Sequence, residues 1–522
     1  MRLIRQALIA AAFLALTACA APSLETADLL IRGGTVYTGS DAPFTGDVAI
    51  RGDKIYAVGR SVGGRAKRII DARGMIVAPG FIDPHTHLDE ELSSDDARTR
   101  LVPAFLMQGV TTAFIGNDGG GDPDVAAVLR SAATRPVGIN YAAFVGFGAI
   151  RKTVVGEANR APAPGEVARM EAMVARAMCE GALGLSTGLF YAPESFADTG
   201  EIVALARKAG ALGGIYDTHI RDESSYTVGL AAAVDEAIAI GRQARLPIHI
   251  SHIKALGVDV QGQAPLIIAQ IEAARRSGQR ITADQYPWSA SGTKLAAALV
   301  PLWAQDGGRR ALLDRLGDAA LAERLRSGMA ENLRKRGGAE ALLITQGEFK
   351  GHTLAQLAKS RGEDPIAAAM TVIRLDDPAV ASFNQSEQDI AAFMRQPWVM
   401  TSSDASPGHP RVYGSFARKY AKYVVAEHVI SLRDFNERSS TLTAETYGLA
   451  GRGHLKPGAF ADIVVFDPKR FAARATYEQP TLLAIGVRHV LVNGVLAVDD
   501  GQLTGGAAGR ALAHVATPGS CR

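Results

Sequence analysis

With 522 residues and 47% hydrophobic content, the chain can bury a large core and build two or three domains, which excludes a small stapled scaffold. Lysine and arginine number 56 against 53 aspartate and glutamate, a formal charge of +3, and with the signs mixed along the chain this excludes a nucleic-acid footprint. The three cysteines, Cys19, Cys179 and Cys521, suit neither a disulfide framework nor a zinc ribbon, and Cys179, in a helical context, reads as ordinary packing.

In chain order, Arg2 and Arg5 precede an apolar run, Ala7 to Ala18, too short to span a bilayer comfortably, so residues 1–19 read as a secretory signal. Its end, Leu16-Thr17-Ala18-Cys19, resembles the lipobox of bacterial lipoproteins, which implies lipidation of Cys19. The expectation is an exported periplasmic or cell-envelope protein that meets the membrane only through a lipid anchor, since no later apolar run is long enough to cross one.

From 27 to 78 short β-like runs alternate with turn residues: Leu29-Leu30-Ile31-Arg32, Thr35-Val36-Tyr37, Asp47-Val48-Ala49-Ile50, Ile55-Tyr56-Ala57-Val58, the texture of a small β module. It returns between 451 and 515, in Ile463-Val464-Val465-Phe466 and Val490-Leu491-Val492-Asn493-Gly494, so both chain ends are expected to form one β-sandwich. Between them, over 79–450, apolar strand-like runs alternate with helix-length segments such as Glu166 to Glu180 and Val234 to Ala244. That alternation, at that length, predicts an α/β fold with a closed (β/α)₈ barrel, and an Arg-, Leu- and Ala-rich stretch near 295–336 reads as a helical excursion.

The sharpest chemical signal is an apolar run, Ile76 to Ile82, that ends in Asp83-Pro84-His85-Thr86-His87. Side chains two apart on extended backbone point the same way, so both imidazoles can reach one cation. Further on, His219 ends Ile215-Tyr216-Asp217-Thr218 and His252 follows Ile248-His249-Ile250-Ser251. His249 and His252 have opposite strand phase, and His252, nearer the C-terminal end where barrel sites lie, is the candidate ligand. Asp404 ends Trp398-Val399-Met400-Thr401-Ser402-Ser403 and supplies a carboxylate for metal and proton transfer.

This order of motifs resembles the amidohydrolase superfamily. Finer features, Gly181 to Tyr191, Thr218-His219-Ile220-Arg221-Asp222-Glu223, Ser251-His252-Ile253-Lys254, Asp284-Gln285-Tyr286-Pro287 and His409-Pro410-Arg411, resemble its N-acyl-D-amino-acid deacylase (D-aminoacylase) branch. The resemblance implies zinc at a barrel mouth, with His85, His87, His219 and His252 as ligands and Asp404 as ligand and general base, then acid. It also implies substrate-carboxylate contacts from Lys254, Tyr286, Tyr191 and Arg411. One position departs: where the family has Gly-Asn-Cys-Gly, this chain has Gly116-Asn117-Asp118-Gly119. Asp118 either replaces the metal-bound thiolate in a site of one or two divalent ions, two of which a carboxylate can bridge, making the site more tolerant of Mn or Co, or is only a turn residue. The expected activity is hydrolysis of N-acyl-D-amino acids or D-residue peptides. The alternatives are a dipeptidase or hydantoinase-like cyclic-amide hydrolase of the same fold, and a non-catalytic envelope binding lipoprotein.

Overall fold

The computed structural model describes residues 26–521; the expected signal segment and Cys19 lie outside them. A nine-stranded sheet joins the two ends of this span. Strands Ala27–Val36, Phe44–Arg51, Lys54–Gly59, Ala66–Asp71 and Ile76–Pro79 share it with Ile463–Phe466, Val487–Val492, Val495–Asp499 and Gln502–Leu503. The seam is strand Ile76–Pro79, which pairs parallel to Thr35 and Val36 on one side and antiparallel to Ile463–Phe466 on the other. Gly52, at φ 58°, reverses the chain in the two-residue turn that lets Arg51 pair with Lys54, a backbone state that costs glycine little.

Between Phe81 and Thr401, outside one excursion, the strands are parallel and largely buried. Phe81–Asp83, Val110–Ile115 and Asn140–Ala143 form one sheet, and Val145–Gly146, Gly184–Gly188, Ile215–His219, Ile248–Ile250, Ile281–Gln285 and Val399–Thr401 form another. Burial on both faces explains why these strands read as continuous apolar runs. Helices intervene, started by side-chain caps that satisfy otherwise orphaned backbone N–H groups: Asp124 accepts from Ala127, Asp198 from Glu201 and Ser386 from Gln388. Their apolar faces, including Met170, Val174, Ile202, Leu205, Val234 and Ile267, pack on the second sheet in one core.

Between strands Ile281–Gln285 and Val399–Thr401 the chain makes an excursion wider than the helical segment expected near 295–336. It holds helices Leu295–Leu299, Gly308–Gly317, Ala322–Lys335, Leu354–Arg361 and Pro365–Leu375 and a three-stranded antiparallel sheet, Ala290–Lys294, Ala379–Phe383 and Leu342–Ile344. Its core is its own, centred on Leu299, Leu325, Met329, Ile344 and Ile373. The sheet escapes sequence reading because Ala290-Ser291-Gly292-Thr293-Lys294 carries almost no β-forming residue.

After Leu503 the tail crosses to the parallel sheets. Gly509 donates to the Val137 carbonyl, Leu512 to Tyr141, His514 to Gly181 and Thr517 to Leu212. Val137, Gly181 and Leu212 each stand just before a parallel strand, so the tail lines the edge opposite the strands' C-terminal ends. It finishes in a disulfide between Cys521 and Cys179, the last residue of helix Pro164–Cys179. This overturns the reading of Cys179 as ordinary packing and gives one disulfide where no disulfide framework was expected: the partners are 342 residues apart, and only the tail's path brings them together. Among the described residues no helix is long and apolar enough to cross a membrane.

Candidate metal centre

Six predicted side chains converge at the C-terminal ends of the parallel strands. His85 and His87 lie just past strand Phe81–Asp83, Asp118 three residues beyond Val110–Ile115, His219 at the end of Ile215–His219, His252 two beyond Ile248–Ile250 and Asp404 three beyond Val399–Thr401. Asp118 is the hub. Its Oδ1 lies 3.4 Å from His85 Nε2 and 3.5 Å from His252 Nε2, and its Oδ2 3.6 Å from His87 Nε2 and 3.7 Å from His219 Nδ1. Asp404 Oδ1 is 3.3 Å from His87 Nε2 and 3.8 Å from His85 Nε2. Asp118, His252 and Asp404 have φ of 53°, 35° and 47°, a left-handed backbone rare outside glycine and concentrated at functional sites. The turn reading of Asp118 is therefore true of its backbone, while its carboxylate faces all four imidazoles.

These spacings fit metal ligation. A tetrahedral cation with bonds of about 2.1 Å holds its donors about 3.4 Å apart. Most of the separations here exceed hydrogen-bond length, and both ring nitrogens of His85 and His219, with Asp118 Oδ1, are buried without a hydrogen-bond partner. The donors fall into two groups sharing Asp118: His85, His87, Asp118 and Asp404, and Asp118, His219 and His252. Such a set could hold one or two divalent ions, with Asp118 common to both donor groups.

The electrostatics agree. Burial opposes the charged form of His85, but Asp118, Asp284 and Asp404 outweigh it and push its pKa up to about 10. For His252 burial and Lys254 oppose charge, and Glu223, Asp404 and Asp118 push it up to about 9. Burial alone would raise Asp118, yet His85 and His252 hold it well below the carboxylate range. Asp404 is likewise raised by burial and lowered further by Arg411 and His252. Protons here stand where a cation would.

A cavity of about 450 Å³ opens over this centre, and its wall includes Tyr191, Lys254 and Tyr286, three of the expected substrate contacts. Arg411 stands elsewhere. It is 1% exposed, its Nη1 is 2.8 Å from Asp404 Oδ2, and its Nη2 donates to Ser406 Oγ. Lys254 Nζ lies 2.5 Å from Glu223 Oε1 and 2.8 Å from His252 Nδ1. It reaches His252 although the strand ends at Ile250, so strand phase is not what unites them.

Sequence reasoning missed two carboxylates. Glu223 Oε1 is 3.0 Å from His252 Nδ1; assigning the proton to Nδ1 makes that nitrogen the donor and leaves the Nε2 lone pair for metal. Asp284 Oδ2 is 2.8 Å from His249 Nε2 and 3.9 Å from His85 Nδ1, and His249 Nδ1 is 2.8 Å from Thr282 Oγ1, so His249 lies beneath the centre. The only signal for Glu223 was its spacing of four from His219, inside a polar run that reads as loop.

The sequence model of the amidohydrolase family matches residues 68–498. The chain is 34% identical to the D-aminoacylase of Alcaligenes xylosoxydans xylosoxydans, covering 94% of this chain and 98% of that protein. It is 33% identical to the N-acyl-D-glutamate deacylase of the same organism, covering 90% and 93%. In structure it is similar to the N-acyl-D-glutamate deacylase of Bordetella bronchiseptica complexed with zinc and a phosphonate mimic of the tetrahedral intermediate. The TM-score is 0.79 at 30% identity, over 94% of this chain and 100% of that one. The dihydropyrimidinase of Brevibacillus agri shares only the fold, with a TM-score of 0.59 at 18% identity. A hub carboxylate among four histidines at the strand ends, with these relatives over nearly its whole length, makes the chain a member of the amidohydrolase family, in its N-acyl-D-amino-acid deacylase (D-aminoacylase) branch.

Proposed function

We propose that this chain hydrolyses the amide bond of N-acyl-D-amino acids, releasing a carboxylate and a free amino acid. The carrying observation is Asp118 within 3.4–3.7 Å of all four histidines, beside Asp404 and a cavity of substrate size. His85, His87, Asp118, His219, His252 and Asp404 are the residues that would hold zinc, or manganese or cobalt. When bound, such an ion lowers the pKa of water toward about 7 and polarises a carbonyl.

The chain's own groups do the rest. Arg411 pins one oxygen of Asp404 and leaves the other on the cavity side, where it accepts a proton from the attacking water and returns it to the leaving nitrogen. Lys254, held by Glu223, and Tyr286 and Tyr191 on the same wall offer the polar contacts for a substrate carboxylate. The carboxylate-rich, fully assembled donor set leaves the non-catalytic alternative without support.

The same reading takes the two parallel sheets as one closed (β/α)₈ barrel, with the nine-stranded sheet as the flanking β-sandwich part. Two contacts support closure: Asn140–Ala143 continues through Phe144 into Val145–Gly146, and Thr86 bridges Ala405. Counting that interrupted strand once gives eight. Export as a lipoprotein is supported by the leader and by the Cys179–Cys521 disulfide, a bond that persists in oxidising compartments.

The test is turnover by metal-loaded protein on a panel of N-acetyl-D-amino acids, N-acetyl-L-amino acids, dipeptides and hydantoin. Release of free D-amino acid is expected; turnover confined to hydantoin or dipeptides would replace the proposal with the cyclic-amide or dipeptidase reading.

A further inference from the structure

The cavity wall carries one buried cation that the mechanism does not use. Arg336 follows helix Ala322–Lys335 of the excursion, is 2% exposed, and lines the same cavity as Asp118 and Lys254. Its Nε donates to the Ala298 carbonyl and its Nη1 to Ser382 Oγ, both at 3.1 Å, and its guanidinium carbon stands 5.6 Å from the Tyr226 ring centroid. None of these partners is charged. Among the described residues no carboxylate lies within ion-pair distance of it, whereas Lys254 has Glu223 and Arg411 has Asp404. The three carboxylates on the cavity wall, Asp118, Glu223 and Asp404, are all committed to the centre.

A guanidinium taken out of water without a counter-charge is costly. The negative end of the preceding helix offsets part of that cost but supplies only about half a charge. Two hydrogen bonds also use only two of five N–H donors. Three elements of the excursion, helix Leu295–Leu299, helix Ala322–Lys335 and strand Ala379–Phe383, fix the group in place, which is how a rigid anion-recognition point is built. Exposed Lys294 lies on the same wall and adds positive potential.

We propose that Arg336 reads a second carboxylate on the substrate, beyond the α-carboxylate, so that the preferred substrates of the deacylase reaction are dianionic. This rests on the deacylase reading above and narrows its substrate class. The second carboxylate sits either on the amino-acid side chain, as in N-acyl derivatives of D-glutamate or D-aspartate, or on the acyl group, as in N-succinyl amino acids.

The experiment compares kcat/KM for N-acetyl-D-glutamate with N-acetyl-D-glutamine, and for N-succinyl-D-leucine with N-succinamoyl-D-leucine, in wild type, Arg336→Met and Arg336→Lys. Calorimetric binding of free D-glutamate and D-glutamine is measured beside them, with metal content and melting temperature. The expected result is a preference of at least about tenfold for one acid over its neutral isostere, lost in Arg336→Met and partly kept in Arg336→Lys, with metal content unchanged. The favoured pair identifies the source of the carboxylate. Equal treatment of acid and amide by the wild type would overturn the proposal, as would an equal loss on both in Arg336→Met, the mark of a structural role. Turnover of neutral substrates alone defeats this inference and spares the deacylase reading. Absence of turnover on every N-acyl-D-amino acid defeats that reading, and the binding comparison then decides on Arg336 alone.

Discussion

Asp118 gives the centre its character. An oxygen ligand between four imidazoles makes a harder site than a thiolate. Asp118→Ala should lose bound metal and activity together, as read by elemental analysis and turnover of N-acetyl-D-amino acids; unchanged values would return Asp118 to a turn residue only. Asp118→Cys, which puts a thiolate in place of the carboxylate, should keep activity and shift preference toward zinc over manganese. Protons and metal also compete here. His85 and His252 titrate near 10 and 9, above the ordinary 6.5, so at neutral pH both must lose a proton for a cation to bind. Metal affinity should therefore fall as pH drops from 9 to 6, with up to two protons released per ion, seen as a buffer-dependent heat in calorimetry.

These ligands were legible because each histidine and Asp404 ends an apolar run, which is what a strand end facing a site requires. Glu223 and Arg336 were not, since Arg221-Asp222-Glu223-Ser224 reads as a solvated loop and Arg336 closes a charge-rich helix. Their burial depends on partners far away in sequence.

At the scale of elements, Lys419 follows helix Arg411–Arg418 and is fully buried against strand Val399–Thr401. Its Nζ donates to Thr401 Oγ1 at 2.9 Å. Burial, helped by Arg438 and opposed by Asp284, lowers its pKa from 10.5 to about 7. Between those values the unfolded chain holds a proton that the folded chain has released, so this group makes stability rise with pH from about 7 to 10 and exerts its full penalty below 7. Lys419→Met should raise the melting temperature, more at pH 6 than at pH 9, by about 1 °C per kcal/mol gained for a chain of this length. A larger gain at pH 9 would contradict this account. The parallel strands and their helices were readable from alternation, whereas the excursion's sheet was hidden by Gly292 and the small residues around it.

For the whole molecule, the tail spans the strand edge away from the metal centre and is fastened by Cys521 to Cys179. Cys521→Ser should cost about 2–4 kcal/mol of stability and leave kcat nearly unchanged, checked by thermal unfolding beside steady-state kinetics. A large loss of kcat would mean that the tail is coupled to the site. This fastening was illegible because nothing near either cysteine in sequence indicates the other.

The seam beside the centre has a different consequence. The Asp404 amide donates to the His85 carbonyl at 3.0 Å, and Thr86 bridges Ala405, so ligands made early and late in synthesis are stitched backbone to backbone. A nascent or truncated chain lacking the later segment lacks Asp404, one of the six donors, and the backbone contact that holds His85 beside it. A cation held by all six donors therefore requires that the last parallel strand, Val399–Thr401, has docked against the first.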